Sequence, residues 1–194
     1  MKRRNFIVGA IGTSLVTSTA SQAAEDNALA PQQRPFIDHG DSVKTAPFGN
    51  NISPAITYYN RVSPYVATAG LLEEGGLEEA QKHGFKLLVD LRQPDENGVE
   101  AEMKLAAKLE LEYINIPVAS GAPDWDQVHA LAALLNEPER YPCLVHCVSA
   151  NRAGAIWALY RGRLGVPKEI AIQEGRAAGL ESREKAVRKR MGLG

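Results

Sequence analysis

Cys147 and Arg152 are the residues whose types and spacing most directly suggest chemistry in this 194-residue chain. Four residues separate them, Val148-Ser149-Ala150-Asn151, with apolar Leu144-Val145 and His146 before and the helix-forming run from Ala153 after. A cysteine at the end of a strand and at the foot of a helix faces unpaired backbone N–H groups and the positive end of the helix dipole. Both favour a thiolate. The amides of Val148, Ser149, Ala150 and Asn151 can wrap an oxyanion, while the Arg152 guanidinium can hold two of its oxygens through a bidentate fork. A thiolate beneath a bound phosphate is placed for in-line attack at phosphorus. His146 either orients this loop by hydrogen bonding or is a plain core histidine, and Ser149 can donate to thiolate or oxyanion.

The chain has a second cysteine, Cys143. Leu144-Val145-His146 between the two reads as a buried strand, which sets their Cα atoms roughly 13 Å apart. A disulfide needs less than about 7 Å. Cys147 is therefore expected as a free thiol.

These groups need a scaffold that brings strand ends together. Residues 85–91 read as a mostly apolar strand, 113–116 as the next and 143–146 as a central one, with a short strand possible over 65–68. Helices are expected over 77–83, closed by Gly84, and over 100–109, 124–135, 153–163 and from Pro167 to about Ala178. Strands alternating with helices predict an α/β fold with a mainly parallel central sheet flanked by helices. In such sheets ligands bind beyond the carboxyl ends of the strands, so the segments after Leu91, Pro117 and His146 should share one mouth.

The chain ends read differently. Lys2, Arg3 and Arg4, the apolar run from Phe6 to Val16 and the small-residue site Ser21-Gln22-Ala23 predict an export signal over residues 1–23. Its paired arginines are twin-arginine-like; an uncleaved anchor is the alternative. Residues 24–52, rich in Pro, Gly, Asn and Gln, are expected as a linker or extended arm, and residues 53–194 as the domain proper. Removing residues 1–23 takes the formal charge from −1 to −4, three positive charges being lost and no negative ones. Such a protein has no global attraction to nucleic acid or anionic membrane, and no stable membrane insertion is expected once the signal is gone. The basic run from Arg183 to Arg190 is read as a solvated helix end. The expected location is periplasmic or secreted.

The His-Cys-to-Arg loop, Val89-Asp90-Leu91-Arg92, Tyr113-Ile114-Asn115-Ile116-Pro117-Val118 and Tyr59-Asn60-Arg61-Val62-Ser63-Pro64 resemble dual-specificity protein phosphatases of the tyrosine phosphatase superfamily. The tail Glu174-Gly175-Arg176-Ala177-Ala178-Gly179-Leu180 brings the resemblance nearest to the bacterial phosphatase-like domain of beta-lactamase hydrolase-like proteins. It covers residues 53–180 and implies a cysteine-phosphatase fold, a phosphocysteine mechanism on Cys147 with Arg152, a phosphorylated protein or small phosphate ester as substrate, and neither metal nor cofactor. The mechanism also needs a carboxylic acid for the leaving oxygen. Asp124 is the candidate, with Asp126 beside it, although Asp124 and Gln127 also form a capping box. Trp125 either stacks on a substrate ring or covers the core edge. Arg92 either contacts substrate or pairs with Asp95 or Glu96.

Three departures from the phosphatase pattern keep other chemistry open. The loop has four residues where tyrosine phosphatases have five; four is the spacing of rhodanese-type sulfurtransferases, which would carry a persulfide on Cys147. Ala153 replaces the usual Ser or Thr, and Ser149-Ala150 replaces the usual glycine. A non-catalytic anion-binding module is the third reading.

Overall fold

The computed structural model describes residues 31–194. The export signal expected over residues 1–23 and the start of the arm lie outside the described residues. Five strands, β1 (Asn60–Arg61), β2 (Val66–Ala69), β3 (Leu87–Asp90), β4 (Glu112–Asn115) and β5 (Cys143–His146), form one sheet in the order β1-β2-β5-β3-β4. β2, β5, β3 and β4 run parallel, and only the short edge strand β1, which the sequence pattern does not mark, is antiparallel. Between and after the strands come α1 (Gly76–Lys82), α2 (Val99–Lys108), α3 (Trp125–Leu134), α4 (Asn151–Arg163), α5 (Lys168–Ala177) and α6 (Glu184–Arg190). The α/β expectation with a mainly parallel sheet holds.

Strand periodicity decides what reaches the site. Successive side chains leave a strand on opposite faces. Leu87, Val89 and Leu91 of the β3 segment therefore share a core with Cys143, Val145 and Cys147 of the β5 segment, packed under α3 and α4. Leu88 and Leu144 face the other way into a smaller core with Leu77 and Ala80 of α1 and Ala106 of α2. Asp90 and His146, paired in register, point to that second face at the carboxyl ends of their strands. Both cysteines are buried and free.

The arm is not a free linker over its described part. Three-ten turns at Pro31–Phe36, Gly40–Ser42 and Gly49–Asn51 shape it. The Phe36 ring lies 6.1 Å from Trp157 and under the Arg161 guanidinium, 4.2 Å away. The His39 amide donates to the Tyr65 hydroxyl at 2.9 Å, and the Tyr59 hydroxyl donates to the Pro47 carbonyl at 2.7 Å. Low hydrophobicity without a helical period predicts no regular element, but it does not forbid docking through aromatic and backbone groups. Among the described residues, no helix is long and apolar enough to cross a membrane.

α4 and α5 pack closely because two glycines let them. A Cβ on Gly154 would sit 2.2 Å from the Leu180 amide nitrogen and 2.6 Å from the Gly175 carbonyl. Gly154→Ala should cost about 2–3 kcal/mol despite the better helix propensity of Ala. The urea midpoint checks this; an unchanged midpoint would mean that the helices slide apart freely.

Candidate active site

β5 ends at His146, and the chain turns through Cys147–Ala150 into α4. The turn is made by Ala150, whose φ of 61° lies in the left-handed region and caps the helix. A non-glycine residue there costs roughly 1 kcal/mol. This is the position at which the sequence substitutes for the expected glycine. Close approach fixes it from outside: a Cβ on Gly179 would meet the Ala150 Cβ at 2.4 Å, so residue 179 must stay a glycine. Asn151 braces the turn, its side-chain amide donating to Ser182 Oγ at 2.6 Å and its Oδ1 accepting from the Glu181 amide at 3.0 Å.

The loop surrounds a buried sulfur. Cys147 is 1% exposed, whereas Val148 and Ser149 are exposed. Among the described residues, the amides of Val148, Ser149, Ala150, Asn151 and Arg152 donate to no protein acceptor. Arg152 bends back over the same point. Glu96 holds its pKa up, against the opposing effect of burial, and the Cys147 sulfur beside it adds to that effect. The structure thus brings Arg152 beside Cys147.

Two side chains join this group without having been singled out. Glu96, from the segment after β3, grips both terminal nitrogens of Arg152; its Oε2 accepts from Nη2 at 2.8 Å, and its Oε1 accepts from Nη1. This contact pulls the Glu96 carboxyl below its ordinary range. Arg183 donates to the carbonyls of Ala119 and Gly121 at 2.6 and 2.5 Å. Burial, followed by repulsion from Arg152, lowers the Arg183 pKa, and Cys147 and Glu96 oppose this. Arg183 is a second cation of the mouth, not part of a purely solvated helix end. Thirty residues separate it from Arg152, and no local pattern signals that approach.

Arg92 requires a correction. It is 2% exposed and pairs with neither Asp95 nor Glu96. Its guanidinium contacts Asp90 Oδ2 at 2.6 Å and Glu102 Oε1 at 2.7 Å, beneath the site. Residues 90 and 92 share one face two positions apart, and α2 supplies Glu102 to that face. Burial works against the Arg92 charge, but the two carboxylates outweigh it. Asp90 also accepts from the Tyr113 hydroxyl at 2.5 Å, and its carboxyl stays below the usual range although burial alone would raise it.

His146 lies in this cluster, completely buried, with Nε2 3.1 Å from Glu102 Oε1 but off the hydrogen-bonding direction. Asp90, Glu102 and His146 each bring a ligand-type atom within 4.8 Å of the others. The Arg92 guanidinium already bridges the two carboxylates, which leaves the cluster its own resident cation.

Asp124 caps α3 as its spacing predicts. Its Oδ1 accepts from the Gln127 amide at 2.8 Å, and Gln127 Oε1 accepts from the Asp124 amide at 2.8 Å. Both Asp124 and Asp126 are exposed and neither contacts Arg152. Trp125 lines a shallow groove with Gly162, Lys168 and Met191, at the edge of the helical layer.

A model of the family described as "DSP-PTPase phosphatase fused to NAD+ Kinase" matches residues 63–190, well over half of the chain. The chain belongs to this family. It is a phosphoric monoester hydrolase of the protein tyrosine phosphatase type. No curated protein matches the sequence. Among solved structures, the phosphatase is similar to Pseudomonas aeruginosa TpbA in complex with pTyr, with 20% identity, a TM-score of 0.57 and coverage of 79% of this chain and 91% of that one. It is also similar to the core catalytic domain of the Saccharomyces cerevisiae PP-IP phosphatase SIW14 in complex with citrate, with 12% identity, a TM-score of 0.61 and coverage of 73% and 87%. At these identities the likeness concerns the fold, and it is the cysteine-phosphatase fold.

The ionised carboxylates give this phosphatase a defined acid response. Asp90 and Glu96 have folded-state pKa values below their unfolded ones of about 4. The stability they add is present above the unfolded value and is lost as pH falls through the folded one. The melting temperature should fall increasingly steeply below about pH 4, and Glu96→Gln should flatten that slope. Asp90→Asn, which leaves Arg92 with one partner fewer, should cost about 3 kcal/mol at neutral pH. A pH profile unaltered in Glu96→Gln would mean that the pair adds nothing to stability.

Proposed function

We propose that this phosphatase hydrolyses phosphotyrosine or a similar phosphate monoester through a phosphocysteine formed on Cys147. The observation that supports the reading is Arg152 lying beside the buried Cys147 sulfur, at the end of a loop whose five amides donate to no protein acceptor among the described residues. Those donors match the three equatorial oxygens of a phosphoryl group in transfer. The Cys147 thiolate attacks phosphorus as the ester P–O bond breaks, and the leaving oxygen takes a proton from a carboxylic acid. Water then attacks phosphorus while giving a proton to the carboxylate left by the acid, the P–S bond breaks, and phosphate leaves with the thiolate and the acid both restored.

Asp124 is the proposed acid. The segment before it is tied to the mouth by Arg183, through the carbonyls of Ala119 and Gly121, and its second carboxylate oxygen is not used by the cap. Support for phosphotyrosine comes from TpbA, whose structure contains pTyr. With the export signal read from residues 1–23, the proposed place of action is the periplasm or the exterior, on a phosphorylated protein or small phosphate ester.

The four-residue loop favours a second reading, sulfur transfer through a Cys147 persulfide, because a smaller loop suits a sulfur atom. Parallel assays separate the two. Under the first reading, aryl phosphate hydrolysis is vanadate-sensitive and falls at least about a thousandfold in Cys147→Ser; under the second, thiosulfate and cyanide give thiocyanate instead. Asp124→Asn retains a good helix cap while removing the proton, so kcat should fall about a hundredfold with the melting temperature unchanged. An unchanged kcat would leave Asp124 as a cap alone. Mild peroxide should abolish turnover and a thiol should restore it; peroxide-resistant turnover would count against a thiolate nucleophile.

A further inference from the structure

One feature that the mechanism does not use is a groove of about 420 Å³ between the segment after β2, with α1, and the segment after β3, with α2. It adjoins the catalytic loop on two sides. The Leu71 amide, in one wall, donates to the Val148 carbonyl at 3.0 Å. Asn97, in the other, directly follows the Glu96 that grips Arg152. A group bound in this groove would therefore lie next to a phosphate held over Cys147.

Its lining has two characters. Leu71, Leu72, Leu77 and Leu105 provide aliphatic walls, while Glu73, Glu74 and Glu78 stand exposed along the rim, none of them in an ion pair among the described residues. At the floor are Glu102, only 8% exposed, and Arg92, whose charge is taken up by the carboxylates beside it. Glu102 Oε1 is sealed against Arg92 and His146. Asp90 and Glu102 share the single guanidinium of Arg92. Two carboxylates thus share one cation at this depth, and a second cation entering from the groove would complement them.

We infer that this groove is a specificity site for the basic side chain of a substrate, a lysine or arginine flanking a phosphotyrosine in a polypeptide. The inference rests on the phosphatase reading for the phosphate and adds what lies beside it. Lysine and arginine carry an aliphatic stem and a cationic head, and the groove offers aliphatic walls leading to carboxylates. Its volume exceeds what a lone ammonium group would fill. An acidic flanking residue would instead meet three rim carboxylates and be repelled.

The test uses the full chain carrying Cys147→Ser and three phosphotyrosine peptides that differ only in flanking Arg, Ala or Glu. Calorimetry should find the Arg peptide bound about tenfold more tightly than the Glu peptide at low salt, with the gap narrowing in roughly 0.5 M salt. Combining Glu73→Gln, Glu74→Gln and Glu78→Gln, all surface positions, should bring the three affinities together. Equal affinities in the starting protein, a preference that survives the triple variant, or no binding of any peptide would each overturn the inference. Phosphotyrosine turnover by the unaltered chain tests the chemistry separately. A flanking preference without turnover would keep the groove and sink the phosphatase mechanism, whereas turnover without preference would do the reverse.

Discussion

One backbone angle organises the site. Ala150 in the left-handed region ends the extended path of β5 and starts α4 within four residues. Without that reversal, the amides following Cys147 would alternate in direction, as they do along a strand, and could not converge. The conformation is unfavourable for a residue with a Cβ, so the surroundings must impose it. The backbone at Gly179 leaves the Ala150 Cβ no room to move to that side, and Asn151 ties the loop to Glu181 and Ser182. These restraints come from the segment following α5, which makes that tail part of the catalytic loop's support. A shorter loop has fewer amides to offer an oxyanion; holding them rigidly is the compensation open to it.

The charges are arranged in two tiers. In the upper tier, Glu96, Arg152 and Arg183 surround the sulfur; in the lower, Asp90, Glu102, Arg92 and His146 lie beneath it on the opposite face of β5. Glu96 sets the direction of Arg152 by taking both terminal nitrogens, which leaves the inner edge of the guanidinium for the sulfur and its ligand. The lower tier fixes the end of β3 against α2. Because Leu91 donates to the His146 carbonyl at 2.9 Å, any shift of β3 would be transmitted to the residue before the nucleophile. Charged groups at this depth are held in place by each other, since any one left alone would face a large desolvation cost.

This division explains what could be read from the sequence. The strand–loop–helix around Cys147 is legible because a buried four-residue strand, a polar turn and a run of helix formers are all local signals. The Asp124 cap is legible for the same reason, its partner lying three residues on. The partners of Arg92 are not legible, because proximity in sequence points to Asp95 and Glu96 whereas Asp90 and Glu102 are set by strand face and by the packing of α2. Glu102 looks like any acidic residue of an amphipathic helix until that helix is docked. Arg183 sits in a basic run whose other members are mostly exposed, and only the return of the chain after α5 separates it from them. The docking of the arm's described part is not legible either, since its contacts run through isolated aromatic rings with no periodic face.

The remaining tension is between an acidic chain and an anionic ligand. The formal charge is −1 for the whole sequence and more negative without its basic start, so the far field does not steer phosphate inward. Attraction must be local, from two arginines and the unpaired amides acting within about one Debye length of 10 Å. A site of this kind discriminates at short range: a polyanion is opposed by the surface before it can reach the loop. A phosphate accompanied by positive charge approaches with little opposition and meets donors only at the end. The acidic groove extends the same logic to the walls of the mouth, where Glu73, Glu74 and Glu78 continue the surface field up to the Val148 edge of the loop. Net acidity and anion binding are therefore compatible here because they operate at different distances, and the boundary between them lies at the mouth itself.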